Sequence, residues 1–455
     1  MVKRPVDMCN GPLLGNIIRY TVPIILTGLL QLLFTAADLV VVGQFCGSDS
    51  VGAVGATNSI INLITNLFIG LSVGAGVMVA QGLGAGNERA VHRAVHTAIP
   101  LAAISGLLLT GVGIFAAPVF LRWMNTPAEF IHLSTLYVQV YFGGIVSTMV
   151  YNFGAAILRA AGDSRSPLLF LVIAGGVNVA LNVVFVTAWD MDVAGVALAT
   201  ALSQTLSAGL VLWALSRRTD ACRLEWRRMR MDRRALLRML RIGLPAGIQG
   251  SMFSISNVMI QSAINEFGPI AVAGCSAAGS LEGFVYISMN ALHQTALNFI
   301  GQNMGAGNYK RVRQVMGTCV ASVTVIGLVM GGLLVLFGRP LLGLYVTDSP
   351  EAIEYGMTRL YFIGITYCLC GAMDVITGGI RGLGASFAPT LITILGVCGM
   401  RLAWIWWVLP LIPTLEMIYL SYPISWILTT AAQWIVYRMI LRRLNAEGGL
   451  CRGGV

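Results

Sequence analysis

The chain has 455 residues, of which 56% are hydrophobic and 11% charged, and its formal net charge is +10. Soluble globular proteins carry about 25% charged residues, and their helices show polar stripes, whereas the apolar runs here are long enough to span a bilayer. Composition therefore excludes an ordinary soluble protein. The basic residues lie in short loops between apolar runs, so the positive charge indicates membrane topology and no nucleic-acid partner.

Apolar runs separated by polar segments predict twelve membrane-spanning helices in an all-α integral membrane fold. The predicted spans are residues 15–45, 52–82, 90–119, 130–160, 166–188, 192–215, 239–265, 270–300, 312–338, 355–382, 388–410 and 416–440. An even number of spans places both termini on one side, and the loop lysines and arginines predict that this side is cytoplasmic. The expected location is the cytoplasmic (inner) membrane, with multiple passes.

The two halves of the chain repeat the same landmarks in the same order, displaced by about 222 residues. The repeated pairs are Gln81–Asn87 with Gln302–Asn308, Val22-Pro23 with Leu244-Pro245, and Leu158–Gly162 with Ile380–Gly384. Six helices repeated in one orientation predict two pseudo-symmetric six-helix bundles with a central cleft. The predicted domains are an N-terminal bundle (1–216), a cytoplasmic Arg-rich linker (217–238) and a C-terminal bundle with a cytoplasmic tail (239–455).

Asp38 is the leading candidate for an ion-coupling residue, because ionisable groups within membrane spans are expensive and commonly functional. It lies past the middle of the first predicted span, and its own helix offers no nearby basic residue. Its counterpart in the second half is Asn257, so only one half keeps the charge. The alternative is an acid that is permanently paired with a basic residue of another helix.

Amide side chains recur every four residues in two spans, which places them on one helix face. In the second span these are Asn58, Asn62 and Asn66, and in the fifth span Asn178 and Asn182. Amide oxygens can coordinate sodium or hydrogen-bond a carboxylic acid, so a sodium site near Asp38 is one prediction and proton binding is the other. Asn58, Asn62 and Asn66, together with Asn152 and Asn257, are predicted to line the substrate cavity, although the second-span amides could equally serve as polar contacts between helices.

The second half carries its own candidate substrate residues. Glu282 and Asn290 belong to a polar ladder in the eighth span, although a spacing of four drifts around a helix. Asp374 in the tenth span is the repeat partner of Asn152. Arg401 in the eleventh span needs an anion, which predicts a pair with Asp374 or Glu282 or, alternatively, an anionic part of the substrate.

The repeated Gln-x-x-Gly-Ala-Gly-Asn loops, the Arg-containing loops after the fourth and tenth spans, and the segments 34–38 (Phe-Thr-Ala-Ala-Asp) and 41–44 (Val-Val-Gly-Gln) occur together. With these motifs the whole chain resembles the multidrug and toxic compound extrusion (MATE) family. The resemblance implies export of cationic drugs and metabolites in exchange for protons or sodium. Some relatives carry an acid where Asn182 stands, and others a glutamate midway along the seventh span. The asparagine at position 182 favours protons, and the absence of the seventh-span glutamate implies sodium or substrate chemistry different from that of those relatives.

The predicted function is secondary active antiport of small amphipathic molecules by alternating access, with H+ or Na+ as coupling ion and no cofactor. The Gly-Ala-Gly loops lack the Lys-Ser/Thr of a phosphate-binding loop, and the four histidines are dispersed, so no enzymatic activity is expected. The alternatives are a lipid-linked-precursor flippase, which the net acidic core disfavours, and a dedicated metabolite exporter. The expected partners are small organic molecules and the lipid bilayer, and the chain is expected to be a monomer.

Overall fold

The computed structural model describes residues 5–123, 128–189, 191–346 and 349–450, and every regular element in these ranges is helical. In the first half the helices are α1 (Leu13–Phe45), α2 (Ser48–Gly84), α3 (Glu88–Trp123), α4 (Ala128–Gly143), α5 (Ile145–Ala160), α6 (Arg165–Thr187) and α7 (Asp192–Ser216). In the second half they are α8 (Arg233–Asn265), α9 (Pro269–Gly305), α10 (Tyr309–Leu336), α11 (Gly338–Gly343), α12 (Pro350–Arg359), α13 (Ile365–Gly382), α14 (Phe387–Thr393), α15 (Met400–Trp407) and α16 (Leu415–Leu450). The predicted spans therefore match helices or pairs of helices.

Within the described ranges, ten helical segments are long and apolar enough to cross a membrane, and an eleventh is formed by α4 and α5 together. These two meet at Gly143 and Gly144 with a bend of 47°. A Cβ at Gly144 would lie 2.3 Å from the Cβ of Ala201, so glycine is required where the bent helix crosses α7. The remaining predicted span, residues 239–265, corresponds to α8, which has 33 residues. It is less apolar because its middle contains Gln249, Ser251, Ser254, Ser256, Asn257, Gln261 and Ser262.

The backbone confirms the internal repeat. Three glycines of the first half adopt positive φ angles, and three glycines at the matching places of the second half do the same; the pairs are Gly47 with Gly268, Gly86 with Gly307, and Gly162 with Gly384. The first helices of the two halves both have 33 residues, and the second helices both have 37. Because only glycine reaches these conformations without strain, the shared turn geometry reflects the duplicated sequence.

The second half differs from the first in two π-helical segments, Leu360–Gly364 between α12 and α13 and Ile394–Gly399 between α14 and α15. A π-helical turn adds a residue to the helix and re-aims the side chains that flank it. Arg359 immediately precedes the first segment, and Arg401 lies two residues beyond the second. Both arginines are part of the site described below.

Close contacts divide the chain into two compact units. The first comprises Met1–Asp7 and Val22–Ser251, and the second Met8–Thr21 and Met252–Val455. The start of α1 thus belongs to the second unit and the start of α8 to the first. The predicted domains, with boundaries at residues 216 and 238, instead placed each helix wholly in its own half. The predicted domain bounds, with residues 217–238 as a separate linker, stay a prediction.

Within the first unit, α8 crosses α2 with almost no side chain between the two backbones. A Cβ on Gly247 would lie 2.0 Å from the carbonyl oxygen of Leu67, and one on Gly70 would lie 2.2 Å from the Gly247 nitrogen. Within the second unit, the start of α1 meets α9 through polar groups. The hydroxyls of Thr21 and Thr295 are 2.8 Å apart.

The Arg-rich connection is fastened to the first unit. Cys222 and Leu224 are buried in the core of that unit. The backbone N–H of Glu225 donates to Nε2 of His96 at 3.0 Å, and that of Asp232 donates to the Thr97 hydroxyl at 3.1 Å. The arginines of the connection therefore project from an anchored segment.

Candidate functional site

Asp38 lies on α1, where it contacts α6 and α7. The Nδ2 group of Asn182 donates a short hydrogen bond to Oδ1 of Asp38 and lies 3.4 Å from Oδ1 of Asn178. The Asn178 amide donates to the Thr200 hydroxyl at 3.3 Å, and the Thr200 side chain also hydrogen-bonds to Asp38. We call Asp38, Asn178, Asn182 and Thr200 the Asp38 cluster.

Local sequence explains how the Asp38 cluster forms. Asn178 and Asn182 are one turn apart on α6, so both amides face the same neighbour. Gly175 lies just before them, and a Cβ there would lie 1.8 Å from the ring of Phe34. Because Phe34 precedes Asp38 by about one helical turn, this glycine lets α1 approach α6 at the height of the cluster.

The Asp38 cluster contains one acid and otherwise neutral polar groups. Among the residues that the structure describes, no basic side chain forms an ion pair with Asp38. Asn182 is completely buried, and its Oδ1 atom has no hydrogen-bond partner there. Tyr137 and Tyr141 of α4 are near enough to interact electrostatically with the carboxylate. The cluster thus offers carboxylate, amide and hydroxyl oxygens that suit a proton or a sodium ion.

The other candidate amides of the first unit whose side chains the structure describes are Asn62, Asn66 and Asn152. The side chain of Asn58 is outside the described residues, Asn62 is exposed, and Asn66 lies beside Gly250 of α8. Asn152 donates to the carbonyl oxygen of Thr148 at 2.8 Å. The described part of the chain shows no hydrogen bond between these side chains and Asp38, and their contact with substrate stays a prediction. Asn257 on α8 is exposed, and its predicted role is likewise untested.

In the second unit, Glu282 pairs with Arg359 and not with Arg401. The Nε and terminal nitrogens of Arg359 donate to the two carboxylate oxygens of Glu282, both at 2.9 Å. Gly279 lies one turn before Glu282, and a Cβ there would crowd the Arg359 guanidinium at 3.3 Å. The sequence did not identify Arg359, because it lies near the end of a predicted span, where arginines usually reach the interface.

Arg401 has no carboxylate partner among the described residues, so the predicted pairing with Asp374 or Glu282 is wrong. Its Nε donates to the Ser425 hydroxyl at 3.2 Å, and its guanidinium lies over the rings of Tyr422 and Trp426, 3.9 and 5.5 Å from their centres. A guanidinium is weakly hydrated and stacks on aromatic rings. Only 3% of Arg401 is exposed, and its contact with an anionic part of the substrate stays a prediction.

Asp374 lies on α13 in a second polar cluster. The Nδ1–H group of His293 donates to the backbone oxygen of Asp374 at 2.6 Å. Tyr286, which hydrogen-bonds to Asn290, and buried Arg381 both interact electrostatically with the Asp374 carboxylate. Gly378 permits this approach, because a Cβ there would lie 2.6 Å from the His293 carbonyl oxygen. Glu282 and Asn290, from the same polar ladder, thus face different partners.

These placements correct the expectation of a net acidic core. The sequence set one arginine, Arg401, against the acids Glu282 and Asp374, whereas in the structure Arg359 binds Glu282 and buried Arg381 interacts with Asp374 as well. Together the three arginines outnumber these two acids. The charge of the second unit therefore does not disfavour a flippase.

Comparison with known proteins decides the family. The sequence profile of the MatE family matches the chain twice, at residues 23–184 and 245–407, once in each half. The chain belongs to the MatE family. As a MatE protein with many apolar helices, it is a multi-pass membrane transporter. The double match also confirms the duplication indicated by the repeated motifs.

Several curated MatE relatives extend over most of the chain. The probable multidrug resistance protein YpnP of Bacillus subtilis is 26% identical over 395 residues, covering 87% of this chain and 88% of its own. The probable multidrug resistance protein NorM of Thermotoga maritima is 24% identical over 393 residues, covering 85% and 84%. The multidrug export protein MepA of Staphylococcus aureus is 21% identical over 272 residues, covering 60% of each chain.

Solved structures confirm the fold. A MATE family transporter described in an outward-facing conformation has a TM-score of 0.89 at 21% identity, covering 98% of this chain and all of its own. A transporter of the MOP superfamily from Pyrococcus furiosus, described as having a binding pocket of reversed polarity, has the same TM-score and identity and covers 98% and 99%. The MatE chain thus has the predicted fold of twelve spans in two bundles.

Proposed function

We propose that the protein exports small amphipathic organic molecules, cationic ones foremost, in exchange for a coupling ion by alternating access. The relatives described as multidrug resistance or export proteins support the substrate class. The driving force follows from the site chemistry, because a lone exchangeable acid can couple transport to an ion gradient. One elementary charge moving through 100 mV supplies about 2.3 kcal/mol.

The arrangement of Asp38 with neutral partners carries the proposal. Because Asn182 and Thr200 can hydrogen-bond either form of the acid, Asp38 is free to change its protonation or to take a cation. A permanent partner such as the arginine beside Glu282 would keep the carboxylate charged. We infer a proton as the coupling ion, since a single carboxylate supplies little charge for sodium, and retain sodium as the alternative.

Proton exchange on Asp38 would reverse its hydrogen bond with Asn182. The ionised carboxylate accepts from the amide nitrogen, whereas the protonated acid can donate to an amide oxygen. Oδ1 of Asn182, buried without a partner in the described structure, is the acceptor within the same side chain. Rotation of this amide would link the state of the acid to the contact between α1 and α6.

The test is transport by purified protein in liposomes loaded with a fluorescent organic cation. We expect an imposed proton gradient to drive wild-type efflux and Asp38→Asn to abolish it, while the exposed Glu351→Gln control transports normally. A sodium gradient applied without a pH difference distinguishes the two ions. Gradient-driven efflux that is unchanged in Asp38→Asn would remove this residue from the mechanism.

Competition in the same liposomes addresses the alternative functions. We expect unrelated amphipathic cations to compete with the fluorescent substrate, which agrees with a multidrug exporter. Competition by one metabolite only would indicate a dedicated metabolite exporter. Movement of a lipid-linked precursor between leaflets, without cation efflux, would indicate the flippase.

A further inference from the structure

A cavity of about 350 Å³ lies in the second unit between the start of α10 and the second half of α16. Its lining residues are Arg313, Gly317, Trp434, Tyr437, Arg438, Leu441 and Arg442. We call it the arginine cavity. The positive-inside rule predicts that these ends of α10 and α16 face the cytoplasm. The cavity is separate from Asp38 and from the Glu282 and Asp374 clusters, none of whose residues line it.

Three guanidinium groups converge on the arginine cavity without acidic partners. Arg313, Arg438 and Arg442 are exposed, and none forms an ion pair within the described residues. The Arg438 guanidinium lies 5.4 Å from the centre of the Trp434 ring, which fixes one side of the cavity. Three like charges around one space repel each other, so an anion in that space would be stabilised by all three.

Tyr437 adds an unused hydrogen-bonding group. It is 3% exposed, and its hydroxyl is buried without a hydrogen-bond partner in the described structure. The side chain interacts electrostatically with Arg313 and Arg438. A buried hydroxyl without a partner is costly, and an acceptor oxygen placed among these arginines would satisfy it.

Gly317 keeps the arginine cavity open. A Cβ at this position would meet no heavy atom within 4 Å, so a larger side chain could enter the space without disturbing the helices. Leu441 supplies an apolar wall, and both helices belong to segments apolar enough to cross a membrane. The site thus joins a cationic, hydrogen-bonding region to a surface suited to lipid chains.

We propose that the arginine cavity binds a phosphate group, which an anionic phospholipid headgroup or free phosphate can supply. Arginine forks match the geometry of phosphate oxygens and bind them in charge-assisted pairs. Trp434 is of the residue type enriched at the membrane interface. Basic pockets between membrane helices on the cytoplasmic side are suited to phospholipid headgroups. The proposal is independent of the transported substrate and coupling ion.

Binding is measured on the full-length protein in phosphatidylcholine nanodiscs, with phosphatidylglycerol added in phosphate-free buffer in one arm and inorganic phosphate added in the other. Tryptophan fluorescence and mass spectrometry of the lipids retained on the protein report occupancy. We expect Arg438→Gln/Arg442→Gln to weaken binding about tenfold or more. Gly317→Leu should block it by filling the space, and Tyr437→Phe should weaken it less.

Arg443→Gln is the control, since it removes one positive charge from the neighbouring position outside the lining, and Arg442→Gln is its charge-matched counterpart inside it. Loss of phosphatidylglycerol binding in the cavity variants but not in Arg443→Gln identifies a lipid site, and the same pattern with inorganic phosphate alone identifies a site for the free anion. Equal binding by Gly317→Leu, the double variant and the control in both arms overturns the proposal. Absence of binding to the wild type in both arms also overturns it.

Discussion

Arg359 holds both carboxylate oxygens of Glu282 with two hydrogen bonds of 2.9 Å, and the side chains are only 15% and 6% exposed. The Arg359 guanidinium also lies 5.9 Å from the centre of the Tyr419 ring, whose hydroxyl is 2.7 Å from Sγ of Cys275. α9, α12 and α16 are therefore joined at one buried point. The pair thus stabilises the packing of these helices, whereas Asp38 has no ionic partner among the described residues.

The Glu282–Arg359 pair predicts a large loss of stability when one partner is neutralised. Glu282→Gln leaves the arginine buried without a counter-charge, and we expect the free energy of unfolding to fall by about 3–5 kcal/mol. Unfolding midpoints in detergent measure the loss. Neutralising both partners should recover part of it. Arg339→Gln, which breaks the exposed pair with Glu354, should change stability by about 0–1 kcal/mol.

Asn182→Asp should give transport a dependence on sodium. Two carboxylates would then lie at hydrogen-bonding distance, and a cation would relieve their repulsion. We expect sodium to stimulate efflux by about tenfold, equivalent to about 1.4 kcal/mol of ion-binding free energy. Rates measured over a series of sodium concentrations test this, with the exposed Asn265→Asp as control. A response identical to that of the wild type contradicts the proposed role of Asn182.

Gly247→Ala should destabilise the first unit, because the added methyl group would overlap the Leu67 carbonyl oxygen of α2. Overpacking of this kind costs about 1–3 kcal/mol. At Gly209 of α7 nothing lies within 4 Å of an added Cβ, so Gly209→Ala should stabilise the helix by about 0.5–1 kcal/mol. Thermal unfolding of both variants is the measurement, and similar midpoints would show that α2 and α8 can separate freely.

Asp220 should stabilise the folded conformation of the linker, and this stabilisation should depend on pH. Partial burial alone would raise its pKa, but the ion pair with Arg218 and the Cys222 N–H bond outweigh burial and lower it. A carboxyl whose pKa is lowered in the folded state stabilises it above the unfolded pKa of about 3.9. The contribution is lost as the pH falls through the folded value.

Pepsin cleavage between pH 4 and pH 2 should therefore accelerate in the linker of the wild type. Asp220→Asn should increase tryptic cleavage after Arg218 at pH 8, where the wild type is protected. Glu225→Gln, which removes the partner of exposed Arg228, is the control and should cleave at nearly the wild-type rate. Equal cleavage of all three proteins would show that the Asp220 contact does not order the linker.

The sequence predicted those features that repeat along one helix or along the whole chain. Apolar runs located the spans, and the spacing of Asn178 and Asn182 predicted their common face. The lone acid in α1 was evident from its rarity. Thr200 was missed because threonines are common in membrane helices, and nothing in the spacing of α7 distinguishes this one.

The sequence could not predict which side chains of different helices contact each other. Arg401 was expected to pair with an acid, but the rings of Tyr422 and Trp426 solvate it instead, and Arg359 reaches Glu282. Both arginines lie beside a π-helical segment. An extra residue in a helical turn changes the direction of the flanking side chains. Prediction of helix faces from residue spacing assumes a regular α-helix and therefore misses this change.

The crossing of α1 with α9 and the crossing of α8 with α2 are related by the repeat. Different groups form the contact in each of them. The hydroxyl groups of Thr21 and Thr295 hydrogen-bond to each other, and each could hydrogen-bond to water instead. Water that entered this crossing would therefore replace the lost contact. At Gly247 and Gly70 the two backbones are in direct contact, and their amide groups are already hydrogen-bonded within their own helices. Water that entered this crossing would therefore form few new hydrogen bonds. An internally duplicated protein can thus have one helix crossing that hydration weakens and a second, related crossing that hydration leaves nearly unchanged.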